Sequence, residues 1–127
     1  MEKLLYFAAG NRKKEMELEK LSGMLGICFV SVAAMQTGQQ IGFLLGLEGF
    51  SKQELPPFAM PPAVLEEVLI ISGMTGERMD SLLGMLRSTS LSVPLKAVVT
   101  PHNVGWTLGD LYRELSAERA EFEKRLR

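Results

Sequence analysis

The chain has 127 residues, which suits one domain with its own core, and we predict a single α/β domain over 1–127. Hydrophobic residues make up 46% and charged residues 23%, a balance that excludes a disordered chain. The 14 basic and 15 acidic residues leave a net charge of −1, which argues against a nucleic-acid-binding protein. One cysteine cannot build a disulfide framework and no signal-peptide pattern is present, so we expect a cytoplasmic protein.

The N-terminal part predicts a strand, a helix and a second strand. The apolar run 3–8 is typical of a strand covered on both faces. Asn11 is the predicted N-cap of a helix that ends at Gly26. Its apolar residues at helical spacing are Met16, Leu18, Leu21, Met24 and Leu25. The β-rich segment 27–33 follows, and its Cys28 is expected to be a small buried hydrophobe.

The segment 27–47 carries no charge, but its glutamines and glycines predict core elements and no membrane span. Thr37 and Gln40 form a capping-box pattern for a short buried helix. Three glycines spaced four apart would give that helix a face for close backbone approach: Gly38, Gly42 and Gly46. The residues 48–62 hold four prolines and predict an irregular loop, with one helical turn at 51–55.

The C-terminal part repeats the alternation of strand and helix. We predict a central strand at 67–72, a helix capped by Thr75, and an edge strand at 95–100 that begins after Pro94. The last helix, 107–126, starts with a capping box in which Thr107 is followed by Asp110. We find no internal repeat and no low-complexity tract in the sequence.

A turn motif follows the last strand. The run Leu95-Lys-Ala-Val-Val-Thr-Pro-His-Asn103, with Trp106-Thr107 and Leu111-Tyr112 after it, resembles a bacterial family of small domains of unknown function with an L-K-A-V-x-T-P-x-N-x-x-W segment. The strand and helix over 68–86 are also similar to that family. The resemblance implies a compact cytoplasmic domain in which Pro101, Asn103 and Trp106 have a structural or functional role. It implies no activity.

Four strands that alternate with helices predict a small, mainly parallel sheet of order 2-1-3-4 with helices on both faces. In this prediction, strands 3–8 and 67–72 are adjacent and parallel, with the other two strands at the edges. The alternative is a ferredoxin-like α+β sandwich with an extra C-terminal helix.

In a parallel sheet the carboxyl ends of the strands share one edge, where we expect a ligand site. The candidate ligand-binding residues are Asn11, Arg12, Lys13, Ser72, Gly73, Thr75, Thr100, His102, Asn103 and Trp106. Cations in the first turn of a helix oppose its dipole, so Arg12 and Lys13 favour a small anionic ligand, although they are also compatible with solvated surface charges. We therefore predict a non-enzymatic module that binds such a ligand or a protein partner.

Several residues have alternative interpretations. His102 could act as an acid–base group, but it has no nucleophile motif beside it, and a turn position is the simpler interpretation. Asn103 could bind a ligand or brace the turn, and Trp106 could stack on a ring or pack the helix entrance. We predict no catalytic residue, metal site or cofactor.

The final helix suggests a second function. Its last turns should extend past the sheet, because the nineteen residues 108–126 span about 28 Å and a strand of five or six residues spans less. Phe122 and Leu126 are apolar, four residues apart and framed by charges. We therefore expect a homodimer, or another protein interaction, through this helix end.

Overall fold

The computed structural model describes residues 1–54 and 63–126. The elements in chain order are β1 (Lys3–Phe7), α1 (Arg12–Met24), β2 (Cys28–Val32), a 3₁₀ turn (Ala34–Gln36), α2 (Ile41–Leu44), β3 (Val68–Ser72), α3 (Gly76–Ser88), β4 (Leu95–Val98) and α4 (Leu108–Arg125). The predicted strands are all present, each within two residues of its expected bounds.

The four strands form one sheet of order β2-β1-β3-β4, which confirms the predicted order and the α/β class. The pairs β1–β2 and β3–β4 are parallel. The prediction that β1 and β3 are parallel is wrong, because they pair antiparallel, with Lys3 opposite Ser72 and Phe7 opposite Val68. The ferredoxin-like alternative does not describe the sheet either, since each half keeps a helix that connects two neighbouring parallel strands.

Side chains alternate between the two faces of the sheet, and each face carries its own core. On one face, Leu4, Tyr6, Leu69 and Ile71 pack with residues of α1 and α3. On the other face, the intervening strand residues pack with α2 and α4. Strands β1 and β3 are therefore covered on both sides, as their continuous apolar runs predict.

The two halves of the chain correspond element by element. Each half is a βαβα unit whose first helix has 13 residues and covers the same face of the sheet. The second helix of each unit lies on the opposite face. The strand order β2-β1-β3-β4 and the antiparallel pairing of β1 with β3 mean that a twofold rotation relates the two units. Its axis is normal to the sheet and passes between β1 and β3. The structure thus contains a repeat that the letters do not reveal.

The start of α4 follows the sequence prediction. The Thr107 hydroxyl accepts a hydrogen bond from the backbone N–H of Asp110 (3.0 Å), and the Asp110 carboxylate accepts one from the N–H of Thr107 (3.4 Å). Asn11 likewise caps α1, because its Oδ1 accepts a hydrogen bond from the N–H of Lys14 (3.2 Å). Both helices therefore begin where a side chain satisfies a free backbone donor.

The region after β2 differs from its prediction. The predicted pairing of Thr37 with Gln40 is not observed. Instead, Oε1 of Gln36 accepts a hydrogen bond from the N–H of Ala33 (2.8 Å), and α2 begins only at Ile41. Two groups approach Gly42 closely. A Cβ atom there would lie 2.6 Å from the ring of Phe50, and its N–H donates a hydrogen bond to the backbone carbonyl of Val104 (2.9 Å).

Three further expectations about single positions fail. No helical turn forms over 51–54, and the rest of the predicted turn, like most of the proline-rich loop, lies outside the described residues. Cys28 is exposed, because it lies on edge strand β2. Met16 and Met24 are exposed on α1, since the helix turns Leu18 toward the sheet instead.

Candidate functional site

The antiparallel pairing of β1 and β3 separates the predicted site residues into two groups. The carboxyl ends of β1 and β2 lie at one end of the sheet, and those of β3 and β4 lie at the other. Asn11, Arg12 and Lys13 follow β1 and belong to the first end. The residues that follow β3 and β4 belong to the second end: Ser72, Gly73, Thr75, Thr100, His102 and Asn103. The expected single crevice between these groups therefore does not form.

The start of α1 presents two of its three cations to solvent. Arg12 and Lys13 are exposed, whereas the ammonium of Lys14 is turned toward Glu67 (2.5 Å) and the carbonyl of Ser92 (2.6 Å). Lys14 thus stabilises the fold and is already neutralised. Arg12 and Lys13 retain their positive charge for an anion near the helix N-terminus.

A crevice of about 740 Å³ lies at the carboxyl ends of β1 and β2. Much of its wall consists of small residues, namely Ala8, Ala9, Gly10, Ala33 and Ala34. Ala9 and Gly10 both have positive φ angles, of 50° and 90°, which turn the chain sharply between β1 and α1. Because alanine has only a methyl group and glycine has no side chain, these wall residues leave the space between the two strand ends open.

Among the described residues, three polar side chains line this crevice, which are Arg12, Glu15 and Ser31. The hydroxyl of Ser31 donates a short hydrogen bond to Oε1 of Glu15. Arg12 lies one turn earlier than Glu15 on α1, so the crevice offers a cation beside a hydroxyl–carboxylate pair. Sequence analysis missed Glu15 and Ser31, because their proximity depends on how α1 packs beside β2.

The equivalent positions in the second half carry none of the three polar side chains Arg12, Glu15 and Ser31. Arg12 and Gly76 are the first residues of their helices, so Glu15 corresponds to Met79. Cys28 and Leu95 begin the second strands, so Ser31 corresponds to Val98. Met79 packs against the core beneath α3. Each polar group of the crevice is thus replaced by glycine or an apolar residue at the other end of the sheet.

The segment after β3 lies close to the N-terminus. Ser72 is buried, and a Cβ atom on Gly73 would lie 2.3 Å from the carbonyl oxygen of Met1. Gly73 also has a φ angle of 77°, so a larger residue there would be strained as well as crowded. Thr75 precedes α3, but its side chain makes no capping hydrogen bond. The chain itself therefore fills the space beside Gly73.

The turn after β4 is held by its own side chains. Asn103 Oδ1 accepts a hydrogen bond from the N–H of Thr100 (2.9 Å), and its Nδ2 donates one to the carbonyl of Val98 (3.1 Å). The Thr100 hydroxyl accepts hydrogen bonds from the N–H groups of His102 and Asn103, both at 3.2 Å. Thr100 and Asn103 therefore have a structural role, as the turn interpretation predicts.

His102 and Trp106 form an aromatic pair on this turn. Their ring centroids are 5.2 Å apart and the rings meet edge to face. Trp106 also packs against the core beneath α4, which agrees with its predicted position at the helix entrance. A smaller cavity of about 330 Å³ is lined by Trp106 with Asp110, Arg113 and Glu114. The His102 ring therefore packs against the indole of Trp106.

The described residues contain neither a candidate metal site nor a membrane-spanning helix. No group of three or more His, Cys, Asp or Glu side chains within residues 1–54 and 63–126 could hold a metal ion. None of the helices over those same ranges is long and apolar enough to cross a membrane.

Comparison with known proteins bears on the C-terminal half of the chain. No curated protein and no solved structure is similar enough to the chain to match it. Residues 67–122 match a family described as Domain of unknown function (DUF3783). The matched segment begins next to β3 and ends within α4, so it covers the C-terminal βαβα unit. This half of the chain is therefore similar to a family of unknown function, as the resemblance in its sequence indicates.

Proposed function

We propose that the protein is a non-enzymatic binding module whose crevice at the carboxyl ends of β1 and β2 takes a small anionic ligand. The observation that carries the proposal is the position of Arg12, which lies at the N-terminus of α1 and lines a crevice of about 740 Å³. Ligand pockets in proteins commonly have volumes of this size, and ligands of α/β proteins bind outside the carboxyl ends of parallel strands.

The charges around the crevice support an anionic group on the ligand. The guanidinium of Arg12 can form paired hydrogen bonds with a phosphate or carboxylate, and the helix dipole adds to its positive potential. The carboxylate of Glu15 would repel an anion, so the anionic group should lie on the Arg12 side. The Glu15 and Ser31 oxygens would then accept hydrogen bonds from a hydroxyl or amine elsewhere on the ligand.

Comparison of the two halves supports the same site. Polar residues with a purely structural role should occur at equivalent positions of both units. The salt bridges of Lys14 with Glu67 and of Arg78 with Glu2 follow this rule, because they are equivalent to each other. Arg12, Glu15 and Ser31 instead occur at one end only. Their restriction to the open crevice favours a role in binding.

The test is an NMR titration of ¹⁵N-labelled protein with inorganic phosphate, and then with a nucleoside monophosphate. The amide signals of 8–15 and 31–34 should move, while those of 100–103 stay in place because they lie at the other end of the sheet. Arg12→Ala should abolish the shifts, and Arg113→Ala, which changes a cation outside the crevice, should retain them. Unmoved signals at millimolar ligand, or equal shifts in Arg12→Ala, would contradict the proposal.

A second candidate function is protein interaction through the end of α4, for which the favoured partner is a second copy of the chain. Phe122 is 62% exposed and Leu126 is 72% exposed, although both are large apolar residues. An antiparallel helix from a twofold mate would bury them. Light scattering on the intact protein and on a chain ending at Ala117 tests this. A monomer at tens of micromolar, or a dimer that survives truncation, would exclude this interface.

A further inference from the structure

The contact between the two halves contains a salt bridge from α1 to the C-terminal unit. The ammonium of Lys14 contacts Glu67, which directly precedes β3, and donates a hydrogen bond to the carbonyl of Ser92, which precedes β4. The Lys14 and Glu67 side chains are only 15% and 16% exposed, so their charges face each other with little screening by water.

A matching salt bridge runs in the opposite direction. Arg78, the third residue of α3 as Lys14 is of α1, contacts Glu2 at 3.1 Å, and Glu2 directly precedes β1. The Arg78 guanidinium also donates a hydrogen bond to the carbonyl of Leu25, which precedes β2. Each unit therefore gives the other a cation from its first helix and receives that cation on a glutamate and a loop carbonyl.

The backbone contacts on the other face are reciprocal in the same way. They surround an antiparallel bridge between Gln40 and Thr107, which precede α2 and α4. The flanking hydrogen bonds form two pairs of equivalent contacts. In the first pair, Ile41 N donates to Trp106 O (2.8 Å) and Leu108 N donates to Gln39 O (3.2 Å). In the second pair, Gly42 N donates to Val104 O (2.9 Å) and Gly109 N donates to Thr37 O (3.0 Å). In a contact of this kind, the same surface patch serves on both partners.

We infer that the surface between the halves is an isologous dimer interface joined within one chain, and that it also accepts the corresponding half of a second copy. The match of a family domain to residues 67–122, one unit alone, supports this independently. One βαβα unit leaves the inner edge of its central strand and one side of each salt bridge unfilled, so it needs a second unit. Within one chain the connection through 48–66 supplies that unit at high effective concentration.

The C-terminal unit is complementary to itself. If β3 of one copy takes the place of β1, Val68 faces Ser72, Leu69 faces Ile71, and Ile70 faces Ile70 of the second copy, as the register of β1 and β3 requires. Arg78 of each copy then faces Glu67 of the other. The apolar layers and the salt bridges are preserved, so the pairing leaves no charge without a partner.

The N-terminal unit is complementary to itself by the same rule. In the corresponding pairing of β1 with β1, Lys3 faces Phe7 and Leu4 faces Tyr6. Lys14 of each copy faces Glu2 of the other. Two full chains can therefore form one dimer that contains an N-terminal pair and a C-terminal pair.

The charges allow a direct test in the full chain through the double variant Glu67→Lys with Arg78→Glu. Within one chain, the introduced lysine faces Lys14 and the introduced glutamate faces Glu2, so both salt bridges become repulsive. Between two copies that pair like with like, the introduced charges face each other and Lys14 faces Glu2, so every bridge is attractive. The variants are made with Phe122→Ser and Leu126→Ser, which removes any association through the end of α4.

The expected result is that the double variant sediments at twice the monomer mass of 14.0 kDa, while the parent chain stays a monomer. The matched control adds Glu2→Lys and Lys14→Glu, which restores both bridges within one chain and should return the protein to a monomer. Sedimentation and circular dichroism are measured for all three proteins. A double variant that is monomeric or unfolded, beside a folded monomeric control, would overturn the inference.

Discussion

Asn103 holds the backbone of Thr100, and Thr100 holds the backbone of Asn103. The amide of Asn103 accepts from the N–H of Thr100 at 2.9 Å, and the hydroxyl of Thr100 accepts from the N–H of Asn103 at 3.2 Å. The neighbouring His102 gives only its backbone N–H to this arrangement. The conformation of residues 100–103 thus depends on the side chains of Thr100 and Asn103.

This reciprocal pair predicts that Asn103→Ala destabilises the fold more than His102→Ala does. Asn103→Ala removes two hydrogen bonds and should cost about 1–2 kcal/mol. His102→Ala removes an exposed ring and its edge-to-face contact with Trp106, which should cost about 0.5 kcal/mol. Urea unfolding followed by circular dichroism measures both. Equal effects of the two substitutions would show that Asn103 does not brace the turn.

Two glycine-to-alanine substitutions in helices should have opposite effects. A Cβ atom on Gly42 would lie 2.6 Å from the ring of Phe50, whereas the space around Gly84 in α3 is open. We expect Gly42→Ala to destabilise the protein by about 1–3 kcal/mol through overpacking. Gly84→Ala should stabilise it by up to about 1 kcal/mol because alanine favours helix.

The outcome for Gly42 can be checked by thermal unfolding and a double-mutant cycle. Combining Gly42→Ala with Phe50→Ala should recover part of the loss, because the added methyl group then has room. Additive losses in the cycle would mean that the ring of Phe50 does not lie against Gly42 in solution.

Tyr6 should make the protein sensitive to alkaline pH. Burial, together with the hydrogen bond to Glu67 (3.0 Å), raises the pKa of Tyr6 above its ordinary value of 10.0. The folded state therefore holds the phenol proton more tightly than the unfolded chain does. This contribution to stability is complete below about pH 10 and is lost as the pH rises through the raised pKa.

Urea unfolding between about pH 8 and pH 11 tests the contribution of Tyr6. Tyr6→Phe should lose about 1 kcal/mol at neutral pH, with the hydrogen bond, and then show a flatter decline than wild type above about pH 10. Tyr112→Phe is the matched control and should decline as wild type does. A decline of wild-type steepness in Tyr6→Phe would contradict the assignment.

Glu66 and Arg119 should give a small sensitivity to acid. The hydrogen bond from Arg119 (2.7 Å) lowers the pKa of Glu66 below its ordinary value of 4.5. The contribution is therefore present above about pH 4.5 and is lost as the pH falls through the lowered pKa. Both side chains are more than a third exposed, so salt should weaken the pair.

A carboxyl NMR titration of Glu66 measures this pair directly. Arg119→Ala should raise the pKa of Glu66 toward its ordinary value. Arg113→Ala, whose partner is Asp110, should leave the titration of Glu66 unchanged. A titration that does not respond to Arg119→Ala would mean that the two side chains are not paired.

The sequence identifies the strands but not the direction of the central pair. A strand covered on both faces is apolar throughout whether its neighbour runs parallel or antiparallel, so the runs of β1 and β3 do not distinguish the two. Local signals were more informative, because the caps at Asn11 and Thr107 depend only on residues within one turn. The pairing of Lys14 with Glu67 could not be predicted, since it depends on which end of β3 lies beside α1.

The candidate site was predicted in part for the same reason. Arg12 is visible in the sequence as a cation at a helix start. Glu15 and Ser31 come together only through the packing of α1 on β2. Lys14 is equivalent to Arg78, and Glu2 to Glu67, but one cation and one glutamate in each half are too little to reveal the repeat before the strands are aligned.

The antiparallel pairing of β1 and β3 has a practical consequence for experiments on this protein. Arg12 and Asn103 lie beyond opposite ends of strands that each span about 13 Å or more. Substitutions that far apart, with no shared neighbour, usually have additive effects. The proposed loss of ligand affinity in Arg12→Ala and the expected loss of stability in Asn103→Ala should therefore be independent of each other. A substitution at one end of the sheet can be studied while unchanged behaviour at the other end shows that the fold is intact.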